Sequence, residues 1–229
     1  MRTALVQMTS SDDPGENRAM VRDLVARAVA QEGAGFVLTP EVTNCVSSSR
    51  TRQRTMLRPE AEDIVLADLR GAAVEHGIWI LAGSLAIALP GEDRFANRSF
   101  LLAPDGRIAA RYDKIHMFDV DIDATETHRE SDAFRPGEQA VLASTPFARI
   151  GLAICYDLRF PHLFRHLAQR GADVLTVPAA FTPVSGAAHW HVLLRARAIE
   201  TGAWVLAPAQ TGHHAIREGR PRETYGHGL

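Results

Sequence analysis

Apolar positions along the chain follow two periods. Thr3 to Met8 reads as a first strand and gives way to the polar stretch Thr9 to Gly15. Between Asn17 and Gln31, residues Met20, Val21, Leu24, Val25, Ala28 and Val29 recur at helical spacing, which predicts an amphipathic helix. Gly33 and Gly35 end it, and Phe36-Val37-Leu38 is a short buried strand running into Thr39-Pro40-Glu41. The Ser-, Arg- and Thr-rich stretch from Asn44 to Arg58 reads as a loop. A second helix spans about Glu60 to His76 and stops at Gly77. Strand Ile78 to Ala82 follows, and Ser84 to Ala88 is expected to pair with Arg98 to Ala103 across the turn Pro90-Gly91-Glu92-Asp93. Pro104-Asp105-Gly106-Arg107 marks another turn before the strand Ile108 to Tyr112.

Lys114 to Phe134 is polar and irregular, rich in acids and histidines, and reads as the wall of a site rather than as core. Strands Ala140 to Ser144 and Arg149 to Ile154 come next. Pro161 opens a helix from His162 to Gln169 that carries Leu163, Phe164 and Leu167 on one face. Strand Val174 to Pro178, a long helix from about Ala187 to Thr201 and strand Trp204 to Ala209 complete the pattern. Strands and helices alternate, but the hairpin turns require a mixed sheet. With no internal repeat or linker, residues 1–229 read as one layered α/β domain.

Composition narrows the function classes. The 229 residues suffice to bury a core, and 46% hydrophobic with 23% charged is ordinary for a globular protein. A net charge of -2 points away from nucleic acid and from anionic membranes. The cluster Arg50-Thr51-Arg52-Gln53-Arg54 reads as a solvated loop. No apolar run approaches the ~20 residues of a membrane span, and no signal-peptide core precedes the first strand. Two cysteines, Cys45 and Cys155, are too few for a disulfide framework. The expectation is a reduced, soluble, cytoplasmic protein. His189-Trp190-His191 and His213-His214 lack a metal-ligand spacing, so neither metal nor cofactor is expected.

Three polar groups sit at strand ends. Cys155 lies at the tip of a strand, on the turn Ile154-Cys155-Tyr156-Asp157-Leu158-Arg159-Phe160-Pro161. Such a place exposes the sulfur to backbone N–H groups and a helix dipole, which favour a thiolate and can hold an oxyanion. An inert buried cysteine fits that stretch equally well. Glu41 ends an apolar segment and is either exposed or held against a specific partner; partial burial would raise its pKa towards that of a useful general base. Lys114, in Arg111-Tyr112-Asp113-Lys114-Ile115-His116, reads by itself as a surface lysine paired with Asp113. A thiol, a carboxylate to take its proton and a cation to stabilise an oxyanion form a chemically complete set. Spacing alone does not bring them together.

Pro40-Glu41, Lys114-Ile115-His116 and Ile154-Cys155-Tyr156-Asp157 resemble, in order, the three motif segments of the nitrilase superfamily, the carbon–nitrogen hydrolases. The resemblance covers essentially the whole chain. It implies an α-β-β-α four-layer sandwich with mixed β-sheets, assembled as a homodimer or higher homo-oligomer. It also implies Glu41 as general base, Cys155 as nucleophile and Lys114 with the Tyr156 backbone N–H as oxyanion donors. Glu130, in Arg129-Glu130-Ser131-Asp132, matches the family's second glutamate; without the family it reads as half of a surface salt bridge. Cys155 to Pro161, then Ala188-His189-Trp190 and Leu193 to Glu200, resemble the branch containing deaminated glutathione amidase and omega-amidase. His191 departs from it, as does the stop at Leu229, which is expected to leave out a C-terminal strand and tail.

The implied reaction is hydrolysis of a small carboxylate-bearing amide through a thioester, with release of ammonia. Omega-amidase, N-carbamoyl amino acid hydrolase or nitrilase activity on the same triad, and a scaffold without turnover, are the other readings. Arg159 is the candidate anchor for the substrate carboxylate, with a salt bridge to Asp157 as its other reading. Tyr112, Phe118, Phe181 and Trp190 are candidates for the pocket wall, although packing is the ordinary role of each.

Overall fold

The computed structural model describes residues 1–121 and 127–229. In the first half, β1 (Thr3–Leu5), α1 (Pro14–Glu32), β2 (Phe36–Leu38), α2 (Arg50–Met56), α3 (Ile64–His76), β3 (Trp79–Ala88), β4 (Phe95–Leu102) and β5 (Ile108–Asp113) follow in order. The five strands make one sheet in sequence order, parallel from β1 to β3 and antiparallel from β3 to β5. Asp13 caps α1 by accepting from the Gly15 N–H, Pro14 supplies its preset first turn, and Gly33 (φ 62°) closes it in the left-handed region.

The second half contributes β6 (Asp119–Asp121), β7 (Thr127–Arg129), β8 (Leu142–Ser144), β9 (Arg149–Leu152), α4 (Pro161–Gln169), β10 (Val174–Thr176), α5 (Pro183–Thr201), β11 (Trp204–Leu206), β12 (Thr211–His214) and β13 (Arg222–Tyr225). Strands β11, β10, β9 and β8 form a second mixed sheet in that order, and β6–β7 and β12–β13 are hairpins.

Strand pleating sorts the core into layers. Val37, Ile80, Phe100 and Leu102 face α1 and α3, meeting Val21, Val25, Val65 and Leu69. Their neighbours Leu38, Leu81 and Leu101 point the other way, into a cluster with Ile150 and Leu152 that runs on to Phe164 and Leu167 of α4 and Trp190 and Leu194 of α5. A Cβ on Gly151 would meet Leu175 and Leu167 at 2.9–3.2 Å, so α4 packs directly on β9. The result is an α-β-β-α sandwich.

Three elements differ from the sequence expectation. The polar stretch 44–58 contains α2, which has no apolar stripe but is capped by Ser49 and tied by Arg52 to Asp12 and by Arg54 to Asp93. The hairpin β6–β7 interrupts the expected irregular region, of which 122–126 lie outside the described residues. The β12–β13 hairpin follows the strand expected to be last. Among the described residues, no helix is long and apolar enough to cross a membrane.

Candidate active site

Three strand ends converge between the two sheets. Thr39-Pro40-Glu41 leaves β2 against Gly83, where a Cβ would lie 1.8 Å from the Thr39 carbonyl oxygen and 2.7 Å from that of Pro40. Only glycine permits that approach. The next residue, Val42, has φ 47°, a costly conformation for a β-branched side chain, and its N–H donates to Ser84 Oγ at 2.9 Å. Lys114 follows β5; its N–H donates to the Asn97 carbonyl at 2.9 Å and its own carbonyl accepts from Gly137 at 2.8 Å. Cys155 follows β9 with φ 49°, its N–H donating to the Pro178 carbonyl at 2.9 Å. Strained non-glycine backbone thus flanks the site on both the Glu41 and the Cys155 sides.

The side chains meet in a buried cluster. Lys114 is 2% exposed, Glu41 4% and Cys155 8%. Lys114 Nζ donates to Glu41 Oε1 at 2.9 Å and to both Glu130 oxygens, at 3.0 and 2.9 Å. Glu41 Oε2 accepts the Ala180 N–H at 2.9 Å, and Glu130 Oε2 accepts the Phe118 N–H at 2.6 Å. Asn97 Nδ2 donates to Glu41 Oε1 at 2.9 Å and to Glu130 Oε1 at 3.3 Å. The Cys155 thiol lies within electrostatic reach of the Glu41 carboxylate.

These neighbours decide the protonation states. Burial pushes the Glu41 pKa up, but the Lys114 charge, the nearby Cys155 thiol and hydrogen bonds from Lys114 and Asn97 outweigh it and hold the carboxyl below its usual value. The expected rise is therefore overturned. Burial, then the Glu41 charge, pushes the Cys155 thiol well up, against the opposing charge of Lys114. Of the two readings the turn allowed, the sulfur is buried rather than exposed, and it rests as a thiol. Burial opposes the Lys114 charge, yet Glu130 and Glu41 hold its pKa well above normal. The resting arrangement is a thiol beside an ionised carboxylate and a fixed ammonium, able to move a proton and to stabilise negative oxygen.

A second network braces the turn from behind. Asp157 is fully buried and accepts from the Tyr112 hydroxyl at 2.7 Å, the Ile154 N–H at 2.8 Å and the His116 N–H at 3.0 Å. His116 Nδ1 lies 2.7 Å from the same carboxylate, with the ring stacked on Phe160. Arg197 donates through Nε and Nη2 to the Leu158 carbonyl. The Tyr156 N–H makes no hydrogen bond among the described residues.

The pocket-wall candidates separate. Tyr112 is core, its hydroxyl used up by Asp157, and Trp190 is core with its indole N–H on the His227 carbonyl at 2.8 Å. Neither offers a face to a substrate. Arg159 does not pair with Asp157. Its guanidinium lies 5.9 Å from the Tyr156 ring and 5.8 Å from that of Phe181, and Nη2 lies 3.1 Å from His189 Nδ1. Among the described residues it meets no carboxylate. Phe118 packs edge-on to Tyr156, with ring centroids 5.0 Å apart. Cys45 lies apart, in a cluster with Leu57, Phe95 and Phe134, its thiol pushed up to about 12 by burial and then by Asp12. Among the described residues no group of His, Cys, Asp and Glu is arranged to hold a metal. Asn97 was not singled out by the sequence, and Asp157 entered only as a motif neighbour of Cys155 and a partner for Arg159, not as the brace of the turn; the one signal was a polar residue in, or just after, an apolar strand.

A family model, carbon-nitrogen hydrolase, matches residues 2–228. The chain is 41% identical to a deaminated glutathione amidase of Yersinia enterocolitica, over 98% of this chain and 77% of that protein. It is 37% identical to the human deaminated glutathione amidase, over 99% and 68%, and 35% to a probable hydrolase nit2 of Schizosaccharomyces pombe, over 99% and 80%. The C. elegans NitFhit crystal structure superposes with TM-score 0.87 at 33% identity, covering 100% of this chain and 56% of that one. A mutant of the Nesterenkonia sp. AN1 amidase superposes with TM-score 0.81 at 27% identity, covering 100% and 81%. In that structure the acetamide moiety of fluoroacetamide is added covalently at the active-site cysteine.

Proposed function

Within the carbon–nitrogen hydrolase family, to which the chain belongs, we propose that it hydrolyses a small amide that also carries a carboxylate, deaminated glutathione first among the candidates. The observation that carries this reading is the buried Glu41, bonded to Lys114 and within electrostatic reach of the Cys155 thiol. Glu41 accepts the thiol proton as sulfur attacks the amide carbon. Lys114 and the unengaged Tyr156 N–H stabilise the tetrahedral oxyanion, while Glu130 positions Lys114. The C–N bond breaks as the nitrogen takes the proton from Glu41, leaving ammonia and a Cys155 thioester. Glu41 then takes a proton from water, whose oxygen attacks the thioester; the carboxylic acid departs and the thiol is restored.

Arg159 suits the substrate carboxylate, since its guanidinium lies near two aromatic rings, has no acid partner among the described residues and engages only Nη2, with His189. Phe181 orients that guanidinium. The enzyme acts in the cytoplasm as a homodimer or larger. Two free cysteines agree with a reducing compartment, and Val192, Ile199 (83% exposed) and Trp204 (79%) leave α5 and its following strand with an apolar outer face.

Ammonia release from deaminated glutathione, α-ketoglutaramate, an N-carbamoyl amino acid and a simple nitrile tests the reading, with Cys155→Ala as control. Turnover of deaminated glutathione above the others, lost in the control, is the expected result. Preference for another compound would reassign the substrate, and turnover by the control would overturn the mechanism.

A further inference from the structure

Asn97 touches both carboxylates of the site and the backbone of its lysine. Its carbonyl accepts the Lys114 N–H, and its side-chain Nδ2 donates to Glu41 Oε1 and Glu130 Oε1. It is 1% exposed, and its Oδ1 is buried with no hydrogen-bond partner among the described residues. An amide turned the other way would aim oxygen at two carboxylates, so the carboxylates fix its orientation and leave Oδ1 unsatisfied. A buried orphan acceptor costs free energy, and in native structures such a group calls for an explanation. Here the same amide supplies the neutral donor that two acids sharing one ammonium need.

We propose that Asn97 is a positioning residue whose amide N–H group ties Glu41 and Glu130 together around Lys114, leaving Glu41 free to accept the Cys155 proton. This rests on the reading of Glu41 as base and Cys155 as nucleophile. Lys114 balances only one of the two carboxylates, so without the amide they repel across the shared ammonium and the site gains a proton. A proton gained by Glu41 removes the base. The titratable groups facing Asn97 are Glu41, Glu130, Lys114 and, through Glu41, Cys155. Arg98 and Asp113, next along their strands, pair with each other at 2.6 Å.

Asn97→Asp keeps the shape and replaces the donor by an acceptor. Asn97→Leu removes the donor together with the orphan oxygen and serves as the variant that keeps the fold. Fluoroacetamide labelling of Cys155, followed by intact mass between pH 5 and 9, reads the thiol without needing the natural substrate. Wild-type labelling that Cys155→Ala abolishes is required first; its absence overturns the reading of the site itself. Given that, Asn97→Asp is expected to label about 10²-fold more slowly at neutral pH, the scale of a positioned general base. Its acid limb moves to higher pH, and Asn97→Leu moves in the same direction by less. Variants of unchanged melting temperature whose profiles match the wild type's, whether equal in rate or scaled by one constant, would overturn the proposal.

Discussion

The Tyr112 hydroxyl donates to Asp157 Oδ2 at 2.7 Å, joining the strand before Lys114 to the turn that carries Cys155. Burial, then the Asp157 charge, pushes the phenol pKa well above normal, so it stays a donor. Tyr112→Phe removes one bond to a buried carboxylate and is expected to cost about 1.5–3 kcal/mol of stability, measured by urea unfolding. A side chain that lined the substrate pocket would instead raise KM and leave stability unchanged.

Cys155 holds a left-handed backbone at φ 49°. That conformation costs a non-glycine residue about 1–2 kcal/mol. Cys155→Gly and Cys155→Ala are both expected to be inactive, but the glycine variant should unfold at higher urea concentration. The reverse order would show that the turn is not strained.

Lys114→Met leaves two acids buried together and is expected to cost about 3–5 kcal/mol at pH 7. With Lys114 present, the Glu41 pKa is depressed, a stabilisation present above the unfolded value and lost as pH falls through the folded one. Without it, the folded pKa of a paired carboxyl rises above the unfolded value, and the stability it contributes is lost as pH rises. The deficit relative to wild type should therefore be smaller at pH 5 than at pH 7.5, as urea unfolding at both values would show. An equal deficit at both would mean that the carboxylates do not interact.

Much of this arrangement was legible in the chain. Pro161 after a buried strand located the Cys155 turn, and Pro40-Glu41 marked another strand end. Burial could be read there, but the partners that settle charge could not. Lys114 lies 73 positions from Glu41, and its ammonium reverses the pKa direction that burial alone predicts. Asn97 escaped because the strand was read from Arg98 onward, and an isolated asparagine has no periodic signature. Whether Tyr112 lines a pocket or packs in the core is not legible in the sequence, because a strand-end aromatic looks the same whether its hydroxyl meets a ligand or a buried Asp157. The helix α2 carries no apolar stripe; its cap and long-range ion pairs appear only in three dimensions.

The most direct test of the central claim is an intact-mass measurement on wild-type enzyme quenched in acid during turnover of deaminated glutathione. The mechanism predicts one acyl group on Cys155, with one ammonia released for each acyl group formed. No such species should form on Cys155→Ala, whose Cys45 remains. Ammonia release by Cys155→Ala, or an adduct mapped to any residue other than Cys155, would contradict it.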